Sequence, residues 1–598
     1  MRSLRVGIAS TVVLAVGATA VAVGQSGPDK SVSLKAAIDV SKPKNIILFI
    51  GDGTGDSELT LGRYYAKGAS GRLALDSLRF RGDVITHSLA PAAAPPYPPL
   101  YVPDSSATAA AWSSGIKTLD GRVGQGPSSG SSVPGVNVPT YMEIARDRGL
   151  STGVVSTAEI TDATPSAPSS HISRRDCHGP QNTRQFCPRE TKAAGGLGSI
   201  AEQQADSGFD LFLGGGRSRF TQTLDNSTRT ALQYATEDKG YRYVATGAEL
   251  AEVTSLAPGE RLLGLFHNST MTTTFAPLIA AQNGAGSTTT KCTPQDRGNE
   301  PTLKEMTEKA ISLLKGNPKG FVLQVESASI DKRAHNSDVC GQIGETIALD
   351  EAVAAAMEFQ AENPDTLIMV TADHAHTGQI VVPNVTPRGL YATLQTVDGA
   401  PIRVSYATAQ AAGSMNHTGV TVPVLANGPR AADVVGTLDQ TELFPILTNT
   451  RTGDGPVPAA PAEVGGEVLP TLALDTEGTV AFSPFVPGLA RDYTASLAAS
   501  VTSSAADATL SIADSSPTAP GHLVNGEFVL PQALHVGLGD TLEPVGGSTA
   551  PTPLKTYAAP ISNDPVSVNF RQSIGAADAL RTGTYAKSLT LTLSTTRP

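Results

Sequence analysis

Five carboxylates and three histidines stand where this chain could bring them together. Asp52, Asp162, Glu326, Asp331 and Asp373 each lie at or just beyond the end of a short apolar run. If they converge, one pocket holds five negative charges, and burying even one uncompensated charge is prohibitively costly. Divalent cations resolve that conflict. "DKRAH" sets Asp331 and His335 four apart, one helical turn, so both can face one ion. "TADHAH" places Asp373 beside His374, and "MNHTG" adds His417. Mixed His/Asp sets suit zinc, whereas the all-oxygen set Asp162, Thr164 and Glu326 suits magnesium. A fourth stretch, "YVPDSSATAAAWSSG" (101–115), offers two adjacent hydroxyls, Ser105 and Ser106, behind Asp104. Either could be a nucleophile activated by a nearby cation.

The runs that carry these residues read as buried strands. "NIILFIGDGTG" (45–55), "GVVSTAEITDATP" (153–165), "GFVLQVESASID" (320–331) and "TLIMVTADHAH" (366–376) are continuous and apolar rather than alternating. Helical patterns such as "ETIALDEAVAAAMEFQAEN" (345–363) lie between them. That rhythm predicts an α/β fold, a mostly parallel sheet with helices on both faces. Ligands gather at the carboxyl ends of strands in such sheets, which is where the acidic and histidine residues fall. After about residue 450 the texture changes. Residues 453–470 read as a Pro/Gly/Ala linker. Residues 471–598 carry alternating stretches, "ATLSIAD", "VSVNFRQS" and "KSLTLTLSTT", and read as an all-β, immunoglobulin-like sandwich without an assignable chemical cluster.

The bulk numbers agree with a multidomain enzyme. The chain has 598 residues, 40% of them hydrophobic, which is too long for one ordinary domain. A net charge of −11 excludes a nucleic-acid partner beyond terminal-phosphate substrates, because such a protein needs a basic face. It does not exclude anionic substrates, since bound cations invert the local field. Arg2 and Arg5 precede an apolar run ending in small residues, so 1–24 reads as a signal peptide cleaved near Ala22–Gly24, the alternative being a retained anchor. Export permits disulfides. The four cysteines allow three pairings, of which Cys177–Cys187 with Cys292–Cys340 is favoured here.

The order GDG, DSS, TDATP, ESASIDK, TADHAH, HTG resembles the alkaline phosphatase family, close to its bacterial three-metal branch, over about residues 40–452. The resemblance implies two Zn2+ and one Mg2+ per chain. Asp331, His335 and His417 would hold the first zinc; Asp52, Asp373 and His374 would hold the second, with Ser105 facing it. Asp162, Thr164 and Glu326 would hold magnesium, with Asp52 bridging. Arg175 would bind phosphate, with its neighbour Arg174 as the competing candidate. Lys332 would lie near the phosphate through water, and Asp104 would orient Arg175. His171 and His376 would lie just outside the ligand sets. The implied activity is hydrolysis of phosphate monoesters through a covalent phosphoserine on Ser105, in an exported homodimer. The appended β domain would attach the enzyme to envelope or polymer, or act as a spacer.

Other functions fit less well. A sulfatase needs Cys or Ser followed two residues later by Pro and then Arg, which Ser105-Ser106-Ala107-Thr108 lacks. A phosphodiesterase of the same superfamily would lack the triad Asp162, Thr164, Glu326. A catalytically dead binding protein would have lost a ligand or the nucleophile, yet every position is filled.

Overall fold

The computed structural model describes residues 30–376, 378–449, 472–477 and 480–595. The expected signal peptide (1–24) and linker (453–470) lie outside them. The described residues divide into two compact units, one on each side of residues 454 and 455.

The first unit is built on a ten-stranded sheet in the order Gly436–Asp439, Phe80–Ile85, Val422–Asn427, Thr366–Thr371, Asn45–Gly51, Phe321–Ser327, Ser151–Glu159, Leu211–Gly215, Arg261–Leu265, Tyr241–Val244. All pairings are parallel except those of Val422–Asn427, which runs antiparallel to both neighbours. The four central strands are the four apolar runs that end in chemically capable residues. Asn45–Gly51 is buried along its whole length. Its side chains alternate between two cores: Ile46, Leu48 and Ile50 face one, Ile47 and Phe49 the other. Helix Ser105–Ser114 contributes Ala109 and Trp112 to the first core. Helices Leu303–Leu314 and Val339–Glu362 contribute Leu303, Met306, Leu349 and Val353 to the second. Helices therefore cover both faces, as the alternation of runs predicts.

Register then brings the site together. Ile50 pairs with Glu326 on one side and Thr371 on the other, and Glu326 pairs with Ser156. The strands therefore end level, and Asp52 and Asp373, each two residues beyond Ile50 and Thr371, emerge side by side. A smaller sheet of Gln379–Val381, Pro401–Tyr406, Leu390–Gln395 and Ala285–Gly286 packs its own core against helix Val339–Glu362. The disulfide Cys292–Cys340 lies in that core; the second disulfide is Cys177–Cys187, so the favoured pairing holds. Among the described residues no helix is long and apolar enough to cross a membrane.

Among the described residues of the second unit, the strands of both sheets pair antiparallel. One sheet runs Leu472–Glu477, Arg491–Ser503, Ile561–Ile574, Leu534–Leu538, Glu543–Pro544; another runs Thr552–Thr556, Thr509–Ala513, Thr590–Ser594. In Ile561–Ile574 every second residue from Val566 to Ile574 is buried, the period of a half-buried strand. Val501, Val568 and Phe570 of one sheet share a core with Leu510 and Ile512 of the other. This is the sandwich that the alternating stretches predict.

Candidate active site

Helix Ser105–Ser114 starts at Asp104, whose backbone is extended and whose carboxylate accepts from the amides of Ser106 and Ala107. The Ser106 hydroxyl also donates to Asp104 Oδ1, so it is committed to the cap. Ser105 is buried and its Oγ lies 3.2 Å from His374 Nε2. Of the two candidate serines, the fold turns Ser105 toward the ligand residues. The whole helix is buried, which its Ala/Ser composition permits beside the sheet. Gly115, in the left-handed region at φ 75°, ends it.

Two clusters of ligand atoms converge beyond the strand ends, each within 4.8 Å: Asp331, His335, His376 and His417, and Asp52, Asp373 and His374. In the first, His335 Nε2 and His417 Nε2 are 3.1 Å apart and lie 3.3 and 3.4 Å from Asp331 Oδ1. A tetrahedral ion with bonds of about 2.0–2.1 Å has ligand–ligand edges of about 3.3–3.4 Å, so this triangle has the dimensions of one zinc face. The other ring nitrogen of each histidine faces a backbone carbonyl. His335 Nδ1 lies 2.5 Å from the Met415 carbonyl and His417 Nδ1 lies 2.8 Å from the Pro103 carbonyl. With Nδ1–H donating to those carbonyls, each Nε2 keeps its lone pair for a cation. In the second cluster His374 Nε2 is 3.1 Å from Asp373 Oδ2 and 3.7 Å from Asp52 Oδ1. Those two carboxylate oxygens are buried without a hydrogen-bond partner. A buried acceptor left bare is open to a cation, a water or a proton, and the adjacent imidazole nitrogen makes the first of these chemically apt. Burial first, then the neighbouring carboxylates of Asp373, Asp331 and Glu326, push the Asp52 carboxyl well above its ordinary range. The residues fit divalent ions at both places.

The expected oxygen set is arranged differently. Glu326 is buried and accepts from Ser156 Oγ at 2.5 Å; burial pushes its carboxyl up to about 7. Thr164 Oγ1 is buried and bare. Asp162, however, spends Oδ1 on Arg175 Nη2 (2.6 Å) and its neighbour Ala163 N–H, and Oδ2 on Lys332 Nζ (2.6 Å). It stands as an anchor for two cations of the protein itself. Lys332 meets Asp162 directly.

Arg175 also donates from Nη1 to Asp104 Oδ2 at 2.9 Å. Burial opposes the Asp104 charge, but the Arg175 guanidinium, the Ser106 hydroxyl and the Gly121 amide hold its carboxyl down at about 2. Arg174 turns elsewhere, pairing with Asp176 at 2.6 Å and covering the Phe186 ring. Of the two arginines, Arg175 is the one that reaches Asp104 and Asp162. His376, expected just outside the ligand sets, bonds Asp331 Oδ1 directly and lies within the first cluster. His171 touches Gly124 and Glu143, not a ligand cluster.

Several contributors carried no readable signal. Gln440 Nε2 donates to the Asp373 carbonyl at 2.7 Å, and Asp120 accepts the Asp104 amide at 3.0 Å. Gln324 donates to the Thr164 carbonyl and accepts from Trp112 and Tyr141. Gly53 is needed by geometry: at φ +70° its amide reaches Asp373 Oδ1 (2.8 Å), and a Cβ there would come within 2.7 Å of His376 and 3.0 Å of the Asp331 backbone.

A doubly wound sheet whose strand ends carry two His/carboxylate clusters, one fully and one partly buried, beside a serine at a capped helix start, is an arrangement able to hold divalent cations next to a hydroxyl. Residues 43–401 match the family model described as alkaline phosphatase. The chain is 43% identical over 422 residues to alkaline phosphatase of Escherichia fergusonii, covering 70% of this chain and 87% of that protein. It is 42% identical over 418 residues to streptomycin-6-phosphate phosphatase of Streptomyces griseus, covering 68% and 90%. The solved structure of alkaline phosphatase from the Antarctic bacterium TAB5 superposes with a TM-score of 0.52 at 22% identity, covering 69% of this chain and all of that one, which supports the fold. The chain belongs to the alkaline phosphatase family, and its activity is hydrolysis of phosphate monoesters.

Proposed function

We propose that the protein is an exported, metal-dependent alkaline phosphatase working through a phosphoserine on Ser105, with two zinc ions and one magnesium. Asp331, His335 and His417 would hold one zinc; Asp52, Asp373 and His374 the other; Thr164 and Glu326 would serve the magnesium, with Asp162 at its edge. The carrying observation is the convergence of Ser105 Oγ and bare carboxylate oxygens on His374 Nε2. Cations in these clusters supply a lowered hydroxyl pKa at Ser105 and positive charge for the attacking and leaving oxygens.

The chain's own groups do the rest. Arg175, fixed at both ends of its fork by Asp104 and Asp162, keeps a second N–H on each terminal nitrogen to donate to two phosphate oxygens. The helix N-terminus adds its amide dipoles to the same charge. Ser105 Oγ forms a bond to phosphorus as the ester oxygen leaves and is protonated to the alcohol. Water then attacks the phosphoserine, releasing phosphate and restoring the hydroxyl. Lys332 holds Asp162 so that Arg175 keeps its direction.

Residues 40–452 form the catalytic domain in this reading and 471–598 an addition. The leader-like N-terminus and two disulfides support export. A relative named for streptomycin-6-phosphate makes sugar phosphates natural members of the substrate panel. The test compares a chromogenic phosphomonoester, an aminoglycoside phosphate and a phosphodiester, before and after chelation and metal return. Monoester turnover that is lost on chelation and regained with zinc and magnesium is expected. Diester turnover as fast as monoester turnover would overturn the reading.

A further inference from the structure

Arg122 is completely buried, yet none of its hydrogen bonds goes to a carboxylate. Its Nη1 donates to the Gly126 carbonyl (2.9 Å). Its Nη2 faces Ser128 Oγ (2.8 Å) and the carbonyls of Gly130 (3.0 Å) and Val133 (2.7 Å). All these acceptors belong to "GQGPSSGSSVPG" (124–135), a segment with almost no apolar side chain to bury. Such a segment gains little from the hydrophobic effect and loses much backbone entropy on ordering. The guanidinium is what it closes around. Gly135 completes the wrap: a Cβ there would lie 2.4 Å from Arg122 Nη1 and 2.0 Å from the Gly126 carbonyl.

The residues flanking Arg122 hold the phosphate arginine. Gly121 N–H donates to Asp104 Oδ1 (3.0 Å), and the Gly121 carbonyl accepts the Arg175 amide (2.6 Å). Val123 and Ile172 exchange two backbone hydrogen bonds, at 3.0 and 2.9 Å. Arg175 Nη1 closes a ring by returning to Asp104. Farther along, Gln125 donates to Glu190, whose carboxylate also accepts the Ser173 amide two residues before Arg175. Residues 121–125 are thus a template laid along 172–175, and their outer side is fastened by Arg122.

We propose that Arg122 is a positioning residue for phosphate binding: by knotting the 124–135 loop it fixes Gly121 and Val123, and through them the backbone and aim of Arg175. The proposal rests on the reading of Arg175 as the phosphate-binding group. A merely structural Arg122 would alter thermal stability without a preference for phosphate affinity. The test is steady-state kinetics with a chromogenic phosphomonoester and competitive inhibition by inorganic phosphate, on Arg122→Met, Arg122→Lys, Arg175→Ala and the double variant. Arg122→Met is expected to raise KM and the phosphate inhibition constant about five- to tenfold, with kcat within about threefold, and Arg122→Lys to fall between. In the Arg175→Ala background the same substitution should change KM less than about twofold, because the group it aims is gone. Unchanged KM and inhibition constant, or an effect of equal size in that background, overturns the proposal. If Arg122→Met does not yield folded protein, Arg122→Lys is read by the same two criteria. If Arg175→Ala itself leaves phosphate inhibition unchanged, the reading of Arg175 fails first, and that result is distinct.

Discussion

The Ser106 hydroxyl donates to the carboxylate that caps its helix, while the neighbouring Ser105 hydroxyl lies against His374. Removing them should therefore have unequal consequences. Ser105→Ala is expected to lower kcat at least about a thousandfold, and Ser106→Ala, which costs part of a cap, less than about tenfold, measured on one chromogenic monoester. Arg175→Ala is expected to raise KM at least about tenfold, while Arg174→Ala, whose partners are Asp176 and Phe186, leaves it within about twofold. At this scale much was legible, because ligand residues must come as particular types at particular spacings. Adjacent candidates were less so. Only the tertiary course of the chain decides which arginine reaches Asp104, and only the ring position shows that His376 sits on Asp331 while His171 does not.

Buried strands announce themselves by continuous apolar composition, so the four central strands could be read directly. Direction could not: nothing in "VTVPVLAN" distinguishes the antiparallel course of Val422–Asn427 from a parallel one. The Arg122 loop was equally opaque, since a Gly/Ser-rich stretch usually signals a flexible connection. Helix Asp56–Lys67 carries a testable electrostatic consequence. Glu58 is buried at its first turn, accepting the Gly55 amide at 2.9 Å and the Gln342 amide at 3.4 Å, and burial pushes its carboxyl up to about 8. A raised carboxyl favours folding in its protonated form, so its contribution is fully present below the unfolded value of 4.5 and is lost as pH rises through about 8. Glu58→Gln removes that titration. The stability of wild type relative to Glu58→Gln, followed by denaturant melts, should fall between those two pH values; a flat difference would show that Glu58 ionises freely in the fold.

Across the whole molecule, two cores of the large sheet and the separate core of the β sandwich belong to different units. A chain ending at 454 is expected to keep kcat and KM within about twofold of the full chain, because every candidate site residue precedes that position. A large loss would mean that the sandwich supports the catalytic unit. Composition foretold both units, for continuous and alternating hydrophobic patterns obey different periods. It could not foretell the level strand ends that bring Asp52, Glu326 and Asp373 to one place, since register is a property of pairing. The account stands most directly on trapping the enzyme during turnover of a phosphomonoester by acid quench and mapping the phosphoryl group by peptide mass spectrometry. It predicts one phosphoryl group on Ser105, absent from Ser105→Ala and from chelated enzyme. Active turnover with the group on Ser106, or with no phosphorylated peptide at any quench time, would contradict it.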